Sequence, residues 1–144
     1  MSMSFKYKEV KRPNGTIIKA PYIPIVLKSD KESIDVVGLI DSGADISVIP
    51  KEMAEILGLR LEKEDESTGV GGKARTADSH VNIKIEKGHE KYEFRLPIKV
   101  LLQENSEIPV LLGRLAFFDN FNIIFEQSNQ RVILKKITFS YNVK

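Results

Sequence analysis

The chain has 144 residues, of which 42% are apolar and 29% are charged, and these proportions are typical of a globular domain. Lys and Arg number 22 and Asp and Glu number 20. The resulting net charge of +2 is too small to predict nucleic acid or an anionic membrane as a partner. The sequence contains no cysteine, which excludes disulfide bonds, thiolate catalysis and cysteine-ligated zinc.

The N-terminal segment 1–12 lacks the apolar core of a signal peptide. No apolar run approaches the roughly 20 residues that a membrane helix needs. We therefore expect a cytoplasmic protein. A length of 144 residues suits one domain, and residues 1–144 are expected to form it.

Short strands are predicted along most of the chain, because apolar residues alternate with polar ones and turn residues separate the runs. In chain order the predicted strands cover residues 5–10, 16–18, 22–27, 34–40, 81–85, 94–102, 123–125 and 132–134. They group into an N-terminal strand extension over residues 1–20, a hairpin with a glycine-rich tip over residues 66–86, and a C-terminal hairpin over residues 122–135.

Helices are predicted at two places only. Pro50 stands at the start of a run of good helix formers over residues 51–57, and Gly58 ends it. A second short helix is predicted over residues 114–121, where apolar side chains are frequent. The predicted class is therefore all-β, mainly antiparallel, with one to two short helices.

The triplet Asp41-Ser42-Gly43 directly follows a predicted apolar strand. Such a triplet occurs by chance in about one chain in twenty of this length, so its position matters more than its composition. Gly43 allows close backbone approach, so that amide groups can hydrogen-bond the Asp41 carboxylate. Ser42 adds a hydroxyl that can donate or accept a hydrogen bond.

The segment 39-LIDSGADISVIP-50 resembles the active-site loop of retropepsin-like aspartic proteases. Two further motifs agree in order and spacing. The segment 69-GVGG-72 stands where that family has its flap, and 111-LLGR-114 stands where the family threads a strand behind the catalytic loop. The resemblance covers residues 22 to 134 and implies a closed, mainly antiparallel β-barrel with one lobe per chain.

Two segments depart from the viral members of that family. The helix over residues 51–57 and the ending over residues 113–134 are more similar to cellular single-domain and Ddi1-type retropepsin-like domains. This departure argues against the viral mode of dimerisation, in which the chain termini interleave. The C-terminal hairpin is the alternative dimer contact.

The resemblance also implies a role for individual residues. The catalytic group would be Asp41, Ser42 and Gly43. Substrate contacts would come from Leu39, Ala44, Asp45, Val48, Gly69, Val70, Gly71 and Leu111. Gly113 and Arg114 would support the loop, with Arg114 paired to Asp45. For Leu39, Val48, Val70 and Leu111, which would line apolar pockets, plain core packing is the alternative.

Aspartic proteolysis needs two carboxylates around one water molecule, yet the chain contains one Asp-Ser-Gly triplet and is too short for two lobes. The economical solution is a C2 homodimer in which each subunit supplies Asp41. The resemblance then implies that Ser42 hydrogen-bonds the partner's loop. The expected substrate is an extended polypeptide, and no cofactor or metal is expected.

Other motifs were weighed against this hypothesis. The segment 69-GVGGK-73 fails the phosphate-loop pattern, because Ser67 and Ala74 replace required residues. Consecutive strand residues point to opposite faces, so 78-DSH-80 cannot form a hydrolase triad. The two histidines, His80 and His89, have no clear acidic partners for a metal site. A non-catalytic peptide-binding module and a structural dimerisation domain remain the alternative functions.

Overall fold

The computed structural model describes residues 2–69, 72–104 and 108–138. Its strands are β1 (Ser2–Lys6), β2 (Lys8–Lys11), β3 (Ile17–Ala20), β4 (Tyr22–Lys28), β5 (Ser33–Ile40), β6 (Ser47–Pro50), β7 (Glu64–Gly69), β8 (Gly72–Lys87), β9 (Glu90–Leu101), β10 (Val110–Leu112), β11 (Phe121–Glu126) and β12 (Arg131–Lys136). The helix α1 covers Lys51–Leu57, and single 3-10 turns cover Phe118–Asn120 and Gln127–Asn129. The predicted all-β class is confirmed, although the strand predicted over residues 5–10 is divided between β1 and β2.

Six strands form a closed ring. In spatial order they are β4, β5, β10, β6, β9 and β8, and β8 pairs back with β4. β7 adds to the outside of this ring by pairing with β8. The pairs β5–β10 and β6–β9 are parallel, and the other pairs of this sheet in the described residues are antiparallel. The expected closed and mainly antiparallel architecture is therefore present.

Alternate residues of the ring strands fill its interior, as the period of two predicts. Fully or almost fully buried examples are Ile23, Ile25, Leu27, Ile49, Ile83, Ile85, Leu96, Ile98 and Leu112. Met3 and Phe5 of β1 and Val132 and Leu134 of β12 belong to the same buried cluster. The strands β1 and β12 thus pack on the same core as the strands of the ring.

A second sheet joins the two ends of the chain. Its order is β1–β12–β11, with both pairs antiparallel, so the predicted C-terminal hairpin is present with slightly longer strands. The strand β1 pairs with β12 of its own chain. Beside it, β2 and β3 form a separate hairpin whose turn uses Gly15 at φ 88.

The helix prediction is right at one place and wrong at the other. α1 forms as expected, and Gly58 ends it in the left-handed conformation at φ 65. No α-helix forms over residues 114–121, which make turns followed by a 3-10 turn. Ala116 lies at φ 68, a conformation that interrupts a right-handed helix.

Apolar residues in this segment serve an aromatic cluster instead of a helix face. Phe117 is completely buried, and its ring centroid lies 5.5 Å from that of Phe121 and 6.4 Å from that of Phe94. Such tilted contacts stabilise a core beyond the area that they bury. The apolar pattern therefore indicated burial correctly and local structure wrongly.

The described ranges contain no helix of the length and hydropathy that a bilayer crossing requires.

The short strand β10 passes between β5 and β6, with Leu111 in register with both Leu39 and Val48. Behind it, the Gly113 N–H donates a hydrogen bond of 2.9 Å to the buried Ser47 hydroxyl. A Cβ atom on Gly113 would lie 2.8 Å from the Ala44 carbonyl oxygen. Only glycine fits this crossing without displacing the backbone.

We expect Ser47→Ala to lower the free energy of unfolding by about 1–3 kcal/mol, because it leaves the buried Gly113 N–H without an acceptor. Urea denaturation measures the change. The control is Ser33→Ala at an exposed position of β5, for which we expect the free energy of unfolding to change by no more than about 0.5 kcal/mol. Equal stability of the two variants would show that the Ser47 hydrogen bond does not hold the crossing.

Candidate active site

Asp41 stands immediately after β5, and backbone hydrogen bonds fix it in place. Its N–H donates to the Leu112 carbonyl of β10 at 3.0 Å, and its own carbonyl accepts from the Ala44 N–H at 3.2 Å. The half-buried side chain is held from a third direction, because the Gly43 N–H donates to Oδ1 of Asp41 at 2.9 Å. The carboxylate is therefore oriented by the loop that follows it.

Gly43 suits this close contact for the steric reason predicted from the sequence. A Cβ atom at this position would lie 3.2 Å from Oδ1 of Asp41. That separation is tight for a carbon against an oxygen that already accepts a hydrogen bond from the same residue. Ser42 and Gly43 are both exposed, so the outer side of the loop is open to solvent in a single subunit.

Arg114 fastens the loop to the segment that follows β10. Its guanidinium forms an ion pair with the Asp45 carboxylate and donates to the Ser42 carbonyl at 2.9 Å. The predicted Asp45–Arg114 pair is therefore present. Both side chains are largely exposed, so the pair adds little stability by itself. Its main effect is to orient the loop.

Two backbone hydrogen bonds strengthen the same connection. The Arg114 N–H donates to the Ala44 carbonyl at 2.9 Å, and the Leu115 N–H donates to the Asp45 carbonyl at 2.8 Å. Together with the Arg114 guanidinium, these two hydrogen bonds connect the loop that follows Asp41 to the segment that follows β10. Arg114 thus contacts the loop that contains Asp41, and Gly113 contacts Ser47 at its far end.

Leu39, Leu111 and Val48 form a row across β5, β10 and β6. They are register partners, and register partners point to the same face of a sheet. All three are half-buried, whereas their chain neighbours Ile40 and Leu112 point into the core. The row therefore faces away from the core, and plain core packing does not account for it.

The predicted glycine-rich hairpin is formed by β7 and β8, with Thr68 opposite Lys73 and Gly69 opposite Gly72. It begins at Glu64, two residues before the predicted boundary. Val70 and Gly71, which were predicted to contact substrate at its tip, lie outside the described residues.

The side chains of the segment 78-DSH-80 point in different directions, as the sequence predicts. Asp78 forms an ion pair of 2.6 Å with Lys99, while the buried Ser79 hydroxyl donates to the Arg60 carbonyl at 2.7 Å. His80 is exposed. These side chains do not converge on one another. Within the described ranges, no group of three His, Asp or Glu side chains is arranged to hold a metal ion.

Sequence reasoning missed two residues of this region. Ser47 is completely buried and bonds to Gly113; its only signal was a polar residue within the apolar run 46–49. Tyr22 is the register partner of Leu39 on β4 and extends the half-buried row by one strand. No local pattern distinguishes Tyr22 from an ordinary edge aromatic.

Comparison with solved structures identifies the fold. A retropepsin-like aspartic protease from Rickettsia conorii superimposes with a TM-score of 0.59, 18% identity and coverage of 93% of this chain and 98% of that one. The retroviral protease-like domain of Ddi1 from Leishmania major superimposes with a TM-score of 0.51 and 13% identity, and the match covers 84% of this chain and 96% of that one. EIAV protease, solved with the inhibitor HBY-793, superimposes with a TM-score of 0.50 and 25% identity, and the match covers 70% of this chain and 88% of that one. The fold is retropepsin-like.

Comparison of sequences gives the family. A search of curated proteins found no match. A sequence profile described as aspartyl protease matches residues 29–115, which is more than half of the chain. That range contains Asp41, the crossing at Gly113 and the hairpin between them. The chain therefore belongs to the aspartyl protease family.

Proposed function

We propose that this protein is an aspartic endopeptidase that acts as a C2 homodimer on extended polypeptide. The observation that carries the proposal is the Asp41 carboxylate, oriented at a strand end by the Gly43 N–H and placed beside a row of outward-facing apolar side chains. Membership of the aspartyl protease family supports it. A cytoplasmic location stays a prediction from the sequence.

The chemistry requires two Asp41 carboxylates around one water molecule. Two like charges about 3 Å apart cannot both be ionised, so the pair shares one proton. The ionised carboxylate takes a proton from water, whose oxygen bonds to the peptide carbonyl carbon. The protonated carboxyl donates its proton to the carbonyl oxygen, giving a tetrahedral diol. Collapse of the diol breaks the C–N bond and delivers a proton to the leaving nitrogen, so that an acid and an amine are released.

The proposed dimer follows from the number of carboxylates. One chain has one Asp-Ser-Gly triplet, and a two-fold axis beside Asp41 brings a second, equivalent carboxylate to it. Ser42 is exposed on the outer side of the loop, where its hydroxyl can bond to the partner's loop. In this arrangement Asp41, Ser42 and Gly43 of both subunits form the catalytic group.

Substrate specificity is proposed to come from the apolar row. An extended peptide places alternate side chains on one face, so that Leu39, Leu111 and Val48 contact every second residue. Bulky apolar side chains beside the cleaved bond are the expected preference. Ala44 and Asp45 would bond to the peptide backbone, and the hairpin tip at residues 69–71 would cover the substrate and exclude water.

The C-terminal hairpin is the proposed dimer contact. β11 is an edge strand of the β1–β12–β11 sheet, and an edge offers unpaired backbone groups to another strand. Ile124 and Phe125 on this strand are 39% and 40% exposed, and both would be covered by a second copy. β1 is the other edge of this sheet, and its apolar side chains Met3 and Phe5 are buried, so β11 is the edge that we propose for the contact.

Replacing Asp41 by Asn tests the catalytic role. We expect Asp41→Asn to lower kcat/KM by at least about a thousandfold, because an amide cannot take a proton from water. The control is Asp35→Asn, an exposed carboxylate on the same strand, which should cut normally. Cleavage is measured on a denatured peptide library with mass-spectrometric readout. Equal cleavage by the Asp41 variant would exclude this mechanism, and tight peptide binding without product from wild type would favour a binding module.

Mixing the two proteins tests whether one site needs two chains. At constant wild-type concentration, an equal amount of Asp41→Asn protein should reduce activity to about half, because only dimers with two intact carboxylates remain active. A ninefold excess should reduce it to about one tenth. Mixing with the Asp35→Asn control should cause no such loss. Activity independent of the added inactive chain would show that a monomer cuts.

A charge on β11 tests the proposed contact. We expect Phe125→Asp to shift the sedimentation profile from dimer to monomer and to reduce activity in parallel, because a carboxylate buried at an interface lacks a partner. The matched control is Ile56→Asp on α1, where the side chain is 60% exposed. A Phe125→Asp protein that stays dimeric and active would place the interface elsewhere.

A further inference from the structure

A groove of about 920 Å³ lies between the β2–β3 hairpin, the β1–β12 pair and β4. Tyr22 and Pro24 of β4 contribute to its floor. Its charged lining residues all carry the same sign: Lys6, Lys8, Lys19, Lys87 and Arg131. Among the described residues that line it, none is an aspartate or a glutamate. The charged lining of the groove is therefore entirely basic on a protein whose net charge is only +2.

The arrangement of these cations is unfavourable without a counter-charge. Lys6 and Arg131 are directly opposite one another in the β1–β12 register, and like charges in that position destabilise a sheet. Arg131 is partly compensated from outside the groove, because its Nε donates to Glu126 at 2.7 Å. That hydrogen bond holds the pKa of the Glu126 carboxyl below its usual range.

The other cations have weaker compensation. Glu9 is the register partner of Lys19, but the two do not form an ion pair within 4 Å in the described residues. The Lys87 ammonium lies 5.4 Å from the centre of the Phe5 ring, a contact that fixes its position and leaves its charge available. An anion in the groove would relieve this concentration of positive charge.

The groove borders the candidate substrate row. Tyr22 lines the groove and is the register partner of Leu39, and the Pro21 carbonyl accepts a hydrogen bond of 3.1 Å from the Ile40 N–H. Neighbouring strands are about 4.8 Å apart, and an extended chain advances about 3.3 Å per residue. A peptide that crosses the row therefore reaches the groove within a few residues.

We propose that this groove binds acidic side chains of the substrate polypeptide, a few residues away from the cleaved bond. The proposal rests on the proposed function and specifies its substrate class. In a C2 dimer two such grooves would flank the site, so acidic residues on either side of an apolar cleavage segment would be favoured. An acidic polypeptide fits better than nucleic acid, because the groove continues the apolar row on which a peptide strand lies.

Matched peptides test the proposal. Each peptide of a first series has the same apolar cleavage segment with one Glu on either side, and the distance of the Glu residues from that segment increases from peptide to peptide. A second series is identical except that Gln replaces Glu. At low ionic strength we expect wild type to cleave the best Glu peptide with a kcat/KM about tenfold higher than that of its Gln partner. The preference should shrink as salt rises, because the Debye length falls to about 8 Å at 0.15 M.

Charge neutralisation locates the effect. The double variant Lys8→Gln, Lys19→Gln should bring the Glu-to-Gln ratio of kcat/KM close to one. The control Lys11→Gln, Lys91→Gln removes the same charge at exposed positions that do not line the groove, and should keep the ratio. A ratio that survives in the groove variant, or falls equally in both variants, overturns the proposal.

A binding measurement separates this proposal from the proposed function. Fluorescence anisotropy with labelled Glu and Gln peptides, using Asp41→Asn protein with and without the groove substitutions, reads the groove without cleavage. If wild type cuts neither peptide but the Glu peptide still binds through the groove, the proposed function fails and the groove assignment stands. The groove assignment is overturned if a single-stranded oligonucleotide competes more strongly than the Glu peptide. It is also overturned if the groove variant no longer forms the dimer.

Discussion

The passage of β10 between β5 and β6 is the constraint on which the candidate site depends. Only three residues, Val110–Leu112, form this strand, yet it contacts the strand before Asp41 and the strand after it. It accepts the Asp41 N–H through Leu112 and supplies the middle side chain of the apolar row. A carboxylate at a free loop would sample many orientations, whereas here both arms of the loop are tied to one strand.

Gly113 and Arg114, which follow β10, both contact the loop that contains Asp41. Gly113 passes within van der Waals distance of the loop backbone, and the next residue uses a side chain to bind the same loop from outside. Both contacts therefore hold the loop against the end of β10. The Asp41 carboxylate is thus oriented by packing, by backbone hydrogen bonds and by the Arg114 side chain, whose exposed ion pair with Asp45 adds little stability.

Much of the fold could be predicted because its signals are local. The alternation over residues 81–85 and the residues that bound α1 act within a few positions of the chain. The interaction of Ser47 with Gly113 could not be predicted, since the partners are 66 residues apart and neither carries a marked pattern. The helix prediction over residues 114–121 was wrong for a different reason. Its phenylalanines indicate burial, but the backbone turns at the left-handed Ala116, whose N–H donates to Asp119 and whose carbonyl accepts from the Asn120 side chain. The basic groove combines residues from six strands and one 3-10 turn, so no sequence window contains it.

The pairing of β1 with β12 inside one subunit separates folding from assembly. Met3 and Phe5 of β1 are buried against the core of their own chain, so in the proposed dimer each subunit would bring a formed core to the contact. The proposed site, by contrast, is complete only in pairs. At low concentration the proposed dimer would dissociate into inactive subunits, and the concentration of competent sites would rise with the square of the free subunit concentration. Bringing two copies to one place would then suffice to switch such a protease on.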